Sequence, residues 1–180
     1  EDVVDWLART GGAVCGEIMR LLSARRLYKR LLVIERTPHP TLFDMLERLK
    51  WEDKPAFARL EARFVTRLNR SGLLAPILGR EMAPHEVLID VPHRARGLSD
   101  VTLLHEGQPL EANTAFANGV WHGIRNDFES YVRKIRIFAH PDLQAAFLKT
   151  SGRKRPDAAL EERLINLLSE CAFNELGLIG

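Results

Sequence analysis

The residues of this sequence whose type and spacing indicate a binding site are basic. They cluster near the ends of predicted strands. An arginine guanidinium can donate two parallel hydrogen bonds to the oxygens of a phosphate, and lysine supplies a mobile positive charge. If those strands share one sheet, their basic side chains could converge on a polyphosphate. The candidate phosphate-binding residues are Arg25, Lys29, Arg94, Arg96, Lys134 and Arg136.

An alternative interpretation is that these side chains are solvated charges balanced by nearby acidic residues. The 180 residues include 26 Lys and Arg against 24 Asp and Glu, which gives a net charge of +2. A chain this close to neutrality does not require a polyanion as its partner, so any anion site must come from local clustering. Both interpretations remain open from the residues alone.

Patterns typical of catalytic and metal sites are missing from the sequence. No histidine is followed by Asp, and no two histidines have the i, i+4 spacing that places both imidazoles on one face of a helix. His140 precedes Pro141 and is most simply explained as a residue at the start of a helix. Cys15 and Cys171 lie far apart on apolar helical stripes, which fits a reducing compartment rather than a disulfide or a zinc site. We therefore expect no catalytic residue and no metal or other cofactor in this chain.

Hydrophobic periodicity predicts an α+β fold, with several helices around a small, mostly antiparallel sheet. In the first half of the chain, apolar side chains on both faces of residues 28–35 predict a buried, central strand. Helices are predicted at 2–9, along the stripe from 14 to 22, at 41–49 with Thr41 as the N-cap, and at 55–71.

The second half of the chain alternates strands with helices. Val87, Ile89 and Val91 alternate with exposed positions, so residues 86–92 are predicted as a strand. A hairpin is predicted to turn at Gly107, and Ile135 with Ile137 predicts a further strand. Helices are predicted from Asn113 or Thr114 to Phe128, from Pro141, and from Pro156 to Cys171.

The order of these segments resembles the C-terminal part of HD-domain phosphohydrolases. The similarity is greatest to the deoxynucleoside triphosphate triphosphohydrolase branch, which includes the animal enzyme that couples a sterile-alpha-motif domain to an HD domain. In that branch a helix ends in an Arg-x-Leu-aromatic-Lys motif, which Arg25, Leu27, Tyr28 and Lys29 match here. A later strand with an Asp between aliphatic residues is similar to residues 89–91.

The resemblance implies that residues 1–180 form a single accessory C-terminal domain of a longer HD-domain protein. The family's metal ligands are a His, a His-Asp doublet and a later Asp, all placed before the Arg-x-Leu-aromatic-Lys motif. The resemblance therefore implies a divalent metal in a catalytic core outside this chain, and a chain that hydrolyses nothing alone. In the regulated animal relative the Arg and Lys of the motif help to bind an activating nucleotide, a role that would fall to Arg25 and Lys29. The expected partners are the HD core, further copies of the chain in a homo-oligomer, and a nucleotide.

Two other functions remain as alternatives. One is a nucleic-acid-binding module that uses the basic residues at 94–96, 134–136 and 153–155 against the backbone, although the near-neutral charge does not favour it. The other is a purely structural oligomerisation domain. No apolar run approaches the length that a membrane-spanning helix needs, and we expect a cytoplasmic protein.

Overall fold

A computed structural model describes most of the chain and shows an α+β fold. The described residues are 3–93, 102–105, 108–111, 133–152 and 154–177. The helices are α1 (Val3–Thr10), α2 (Gly12–Ser23), α3 (Pro40–Glu52), α4 (Lys54–Ser71), α5 (Ala75–Leu78), α6 (Pro141–Ser151) and α7 (Ala158–Glu175). A 3₁₀ turn covers Pro84–Glu86, and the strands are β1 (Lys29–Glu35), β2 (Val87–Asp90), β3 (Thr102–His105), β4 (Gln108–Glu111) and β5 (Lys134–Ala139).

The main sheet is antiparallel and has the order β1-β5-β2, with β5 in the middle. The predicted strand at 28–35 is confirmed as β1, but among the described strands it lies at an edge of the sheet and not in the predicted central position. Leu31 and Leu32 are both buried because the register with β5 shifts between Arg30 and Leu32. Such a shift places neighbouring side chains on the same side, so an edge strand can carry the apolar run of a central one.

The hydrophobic core lies between one face of this sheet and helices α3, α4, α6 and α7. Ile135 and Ile137 of β5 are fully buried there, as the alternation in the sequence predicts. Helices α4 and α7 pack along each other, and both Arg59 and Arg63 form ion pairs with Glu175 at 3.1 and 3.0 Å. This layer fixes the sheet from which the candidate site is built.

Three predicted helix starts can be compared with the structure. Pro141 begins α6 as predicted. The predicted Thr41 cap is wrong, because Pro40 already occupies the first turn of α3, where its missing N–H costs nothing. The predicted start at Pro156 is also displaced, since the Asp157 carboxylate accepts a hydrogen bond from the Leu160 N–H at 2.9 Å and caps α7.

The remaining elements divide into those that the structure describes and those outside it. Strands β3 and β4 pair antiparallel and confirm the predicted hairpin, although Gly107 itself lies outside the described residues. The helix predicted from Asn113 or Thr114 to Phe128 lies wholly outside them. Within the described ranges, no helix combines the length and the apolar character needed to cross a membrane.

Candidate functional site

The turn between α2 and β1 presents the first basic residues of the Arg-x-Leu-aromatic-Lys motif. The Arg26 N–H donates to the Leu21 carbonyl at 2.8 Å, and the Arg25 N–H donates to the Leu22 carbonyl at 2.9 Å. These two bonds form a Schellman motif, in which the residue at the position of Arg25 adopts the left-handed conformation. Arg25 has a φ of 53°, although glycine is the residue that this position favours. The side chain of Arg25 is exposed.

Two side chains of the same motif fasten this turn to the body of the domain. The Tyr28 hydroxyl donates to the His85 carbonyl at 2.8 Å, and the Tyr28 ring meets the His140 ring edge-on. Burial raises the pKa of Tyr28, and the carboxylates of Glu17 and Glu86 raise it further. Arg26 donates to the Asp142 carboxylate at 2.5 Å. Tyr28 and Arg26 therefore anchor the motif, whereas Arg25, Leu27 and Lys29 are exposed and make no such contact among the described residues.

A cationic patch, consisting of Lys29, Arg30, Lys154 and Arg155, lies where β1 begins and the α6–α7 linker passes. Lys29, Arg30 and Lys154 line one small hollow. Arg30 and Arg155 line an adjoining open groove of about 330 Å³. None of the four side chains forms an ion pair within 4.0 Å with a carboxylate of the described residues, although Glu35 and Glu161 also line the groove of Arg30 and Arg155. Such a surface can bind the oxygens of a phosphate.

Lys134 and Arg136 lie at the opposite end of the sheet from this patch. The antiparallel register pairs Lys29 with Ala139 and Lys134 with Glu35. Lys29 and Lys134 are therefore separated by roughly 20 Å, the length of six strand residues. Lys134 forms an ion pair with Glu35 at 2.5 Å, and Arg136 lies 3.8 Å from Asp90. These two residues do not converge with Arg25 and Lys29, whereas Arg94 and Arg96 lie outside the described residues.

A polar cluster behind the α2–β1 turn was not predicted from the sequence. Glu17, Glu86 and His140 bring ligand-type atoms within 4.8 Å of one another, from α2, the 3₁₀ turn and the end of β5. His140 is buried, whereas the sequence indicated only a residue at a helix start. It does also cap α6, because its Nδ1 accepts from the Asp142 N–H at 3.3 Å. The three residues are distant in sequence, so no spacing motif could have identified the cluster.

The two carboxylates of the cluster have different partners. Glu86 accepts from the Arg80 guanidinium through both oxygens and from the Ala83 N–H. Burial alone would raise the pKa of Glu86, but these hydrogen bonds and the charge of Arg80 lower it below the usual value. Glu17 has no Lys or Arg partner among the described residues; the nitrogens within 4.0 Å of its carboxylate there belong to the imidazoles of His85 and His140.

The chain was compared with protein-family models, curated protein sequences and solved structures, and none of them matches it. The resemblance to HD-domain phosphohydrolases therefore depends on the motif at residues 25–29, the strand at 89–91 and the order of the segments.

Proposed function

We propose that this chain is an accessory region of a larger, cytoplasmic HD-type phosphohydrolase and that the cationic patch, together with Arg25, binds the phosphates of a nucleotide. The metal-dependent hydrolysis would belong to the HD core of that protein. The observation that carries the phosphate-binding part is the group of four cations at one end of the sheet, none of which forms an ion pair with a described carboxylate. Cations elsewhere on the same sheet pair with carboxylates, as Lys134 does with Glu35.

The conformation of Arg25 adds support to this proposal. A left-handed backbone costs a residue other than glycine about 1 kcal/mol. Residues held in such conformations cluster at functional sites, where the side chain compensates for the local cost. Because the Arg25 side chain is exposed, packing does not compensate for this conformation, whereas a contact with a bound ligand would.

The helical hairpin of α1 and α2 supports the accessory role. Helix α1 buries none of its residues, and Val3 and Trp6 are 68% and 52% exposed. Val14 and Leu22 of α2 are also exposed. An apolar surface of this kind marks a contact with another protein surface. We propose that this apolar surface contacts the HD core and that this contact would also support a homo-oligomer.

Calorimetric titration of the 180-residue chain with GTP and with deoxynucleoside triphosphates tests the phosphate-binding proposal. We expect saturable binding, and we expect Lys29→Ala and Arg30→Ala each to weaken it roughly tenfold, the scale of one charged hydrogen bond. Lys134→Ala is the matched control, because it removes a lysine from the same sheet at the opposite end. Absence of heat from a chain that circular dichroism shows to be folded would overturn the proposal.

The nucleic-acid alternative is separated by a second titration with single-stranded and duplex oligonucleotides. Binding through many backbone phosphates falls steeply with salt concentration, whereas a site for one triphosphate gives a shallow slope. The nucleic-acid module would be favoured if the affinity fell steeply with salt concentration and if Lys134→Ala and Arg136→Ala weakened binding as much as Lys29→Ala. Unchanged nucleotide affinity in all four variants, Lys29→Ala, Arg30→Ala, Lys134→Ala and Arg136→Ala, would favour a structural role.

A further inference from the structure

We propose that His140 and Glu17, with Glu86 as a third ligand, bind a divalent transition-metal ion such as Zn²⁺ behind the α2–β1 turn. This site goes beyond the proposed nucleotide-binding function and beyond the metal expected in an HD core. It also departs from the sequence-based expectation that the chain holds no metal. The three residues come from separate elements and meet at the place where the turn is fastened to the sheet.

The His140 Nε2 atom is buried in a position that calls for a partner. His140 is only 5% exposed, and its Nε2 has no hydrogen-bond partner within the described ranges. The Glu17 Oε1 atom lies 3.5 Å from this nitrogen, in an arrangement that does not make a hydrogen bond. A buried polar atom without a partner is unfavourable, and a metal ion bound at Nε2 would satisfy it.

The same separation suits two ligands of one metal ion. Zinc bonds to imidazole nitrogen and carboxylate oxygen are about 2.0 to 2.2 Å long, and structural sites are tetrahedral. Two such ligands are then about 3.4 Å apart. The observed 3.5 Å between His140 Nε2 and Glu17 Oε1 is therefore close to the spacing that a shared ion requires.

Neighbouring groups hold the Glu17 and Asp142 carboxylates beside the proposed site. The other oxygen of Glu17 lies 2.9 Å from His85 Nε2, which fixes the carboxylate. His140 Nδ1 lies 3.4 Å from Asp142 Oδ2, while Asp142 Oδ1 is held by Arg26. Histidine ligands usually donate their second N–H to a carboxylate. Metal binding at Nε2 would place the imidazole proton on Nδ1. Nδ1 would then donate to the Asp142 carboxylate instead of accepting from the Asp142 N–H.

The donor set indicates the class of ion. One imidazole with carboxylates suits Zn²⁺ and its first-row neighbours, whereas Mg²⁺ and Ca²⁺ prefer all-oxygen ligands. Glu17 brings a carboxylate without a Lys or Arg partner among the described residues, and its side chain is 36% exposed, so water can complete the coordination. Glu86 is the weakest of the three ligands, because Arg80 already holds its Oε1 and that oxygen approaches His140 at Nδ1, at 3.9 Å, rather than at Nε2.

Equilibrium dialysis of the 180-residue chain against ZnCl₂, with CoCl₂ as a spectroscopic probe, tests this proposal. We expect one bound ion per chain and a cobalt absorption spectrum typical of nitrogen and oxygen ligands without thiolate. Glu17→Gln and His140→Gln preserve side-chain size and should each weaken binding at least tenfold. His39→Gln is the control, because His39 occupies the N-cap position of α3 without a side-chain capping hydrogen bond and does not belong to the cluster.

Three outcomes would overturn the proposal. The first is no binding by a wild-type chain that retains its near-UV circular dichroism. The second is equal affinity in the wild type, Glu17→Gln and His140→Gln. The third is loss of the ion in Cys15→Ser, accompanied by a thiolate band in the cobalt spectrum, which would assign the metal to the cysteine instead.

Discussion

Arg80 holds Glu86 with two parallel hydrogen bonds, from Nη1 to Oε2 at 2.7 Å and from Nη2 to Oε1 at 2.5 Å. The Glu86 side chain is 3% exposed, whereas that of Arg80 is 44% exposed. A partly exposed guanidinium thus neutralises a carboxylate that is almost fully buried. The pair joins the segment after α5 to the start of β2, next to the cluster with His140.

Removing the arginine of this pair should destabilise the fold in a pH-dependent way. Arg80→Ala leaves the Glu86 carboxylate buried without its main donor, so we expect a loss of about 1 to 3 kcal/mol in unfolding free energy at pH 7. The folded-state pKa of Glu86 is lowered, so its contribution is present above the unfolded pKa near 4.5 and disappears as pH falls through the lowered value. Urea denaturation at pH 7 and at pH 3 measures the difference.

The control for this prediction is Arg48→Ala, which breaks the exposed pair of Arg48 with Glu52 on α3. That change should cost less than about 0.5 kcal/mol at either pH. An Arg80→Ala chain as stable as the control at pH 7 would contradict the prediction.

Replacing Arg25 with glycine should separate stability from ligand binding. Arg25→Gly relieves the left-handed conformation, so the unfolding free energy should be unchanged or rise by up to about 1 kcal/mol. The same variant should bind nucleotide more weakly, because it lacks the guanidinium. Thermal denaturation and calorimetric titration measure the two effects. Arg25→Lys, which retains the charge, should keep most of the affinity, and a large loss of stability in Arg25→Gly would be inconsistent with the Schellman turn.

The buried ion pair of Glu47 and Arg133 should be sensitive to loss of one partner. Glu47 is 1% exposed and Arg133 is 5% exposed, with the Arg133 guanidinium also 5.7 Å from the Phe43 ring centroid. Burial lowers the pKa of Arg133 from its usual value, and an arginine guanidinium stays protonated in folded proteins. Glu47→Ala should therefore destabilise the fold by about 3 to 5 kcal/mol, measured by urea denaturation.

The double variant Glu47→Leu with Arg133→Met provides the matched comparison. An apolar pair of similar volume often replaces a buried ion pair without loss of stability, so much of the deficit should be recovered. A double variant less stable than Glu47→Ala would contradict this prediction. It would show that the ion pair stabilises the fold more than an apolar pair of similar volume does.

The two cysteines should differ in their reaction with a disulfide reagent. Cys171 is fully buried, and burial raises the pKa of its thiol, so little reactive thiolate forms at neutral pH. Cys15 is only half-buried on α2. We expect one thiol per native chain to react quickly with Ellman's reagent and the second to react only after denaturation. Cys15→Ser should abolish the fast phase and Cys171→Ser should leave it intact; the reverse pattern would contradict the packing of α7.

Local periodicity was enough to predict most elements of the fold. Ile135 and Ile137 alternate as a half-buried strand must, and Phe64 and Leu68 lie one helical turn apart on the apolar face of α4. Strand order was not predictable in the same way. The composition of β1 is typical of a central strand because the bulge after Arg30 lets consecutive apolar side chains be buried, and only the strand order shows that β1 lies at an edge among the described strands.

The candidate site was predicted in part for a related reason. Arg25 and Lys29 lie within five residues, so a sequence motif could identify them. Whether Lys134 reaches them depends on strand direction, and the antiparallel register places it at the other end of the sheet. The cluster of Glu17 and His140 is created entirely by tertiary packing, and its buried imidazole could not be distinguished from an exposed one by composition.

The unequal distribution of charge along the sheet also affects how a ligand would arrive. Among the described residues, Lys29, Arg30, Lys154 and Arg155 concentrate positive charge where β1 begins, with Glu35 and Glu161 farther along the same groove, whereas Lys134 at the far end is paired with Glu35. A diffusing polyanion would then be turned toward the start of β1 before contact, and its association rate would exceed that of a neutral ligand of equal size. A chain with almost no net charge can therefore still attract and orient an anion at one end of its sheet.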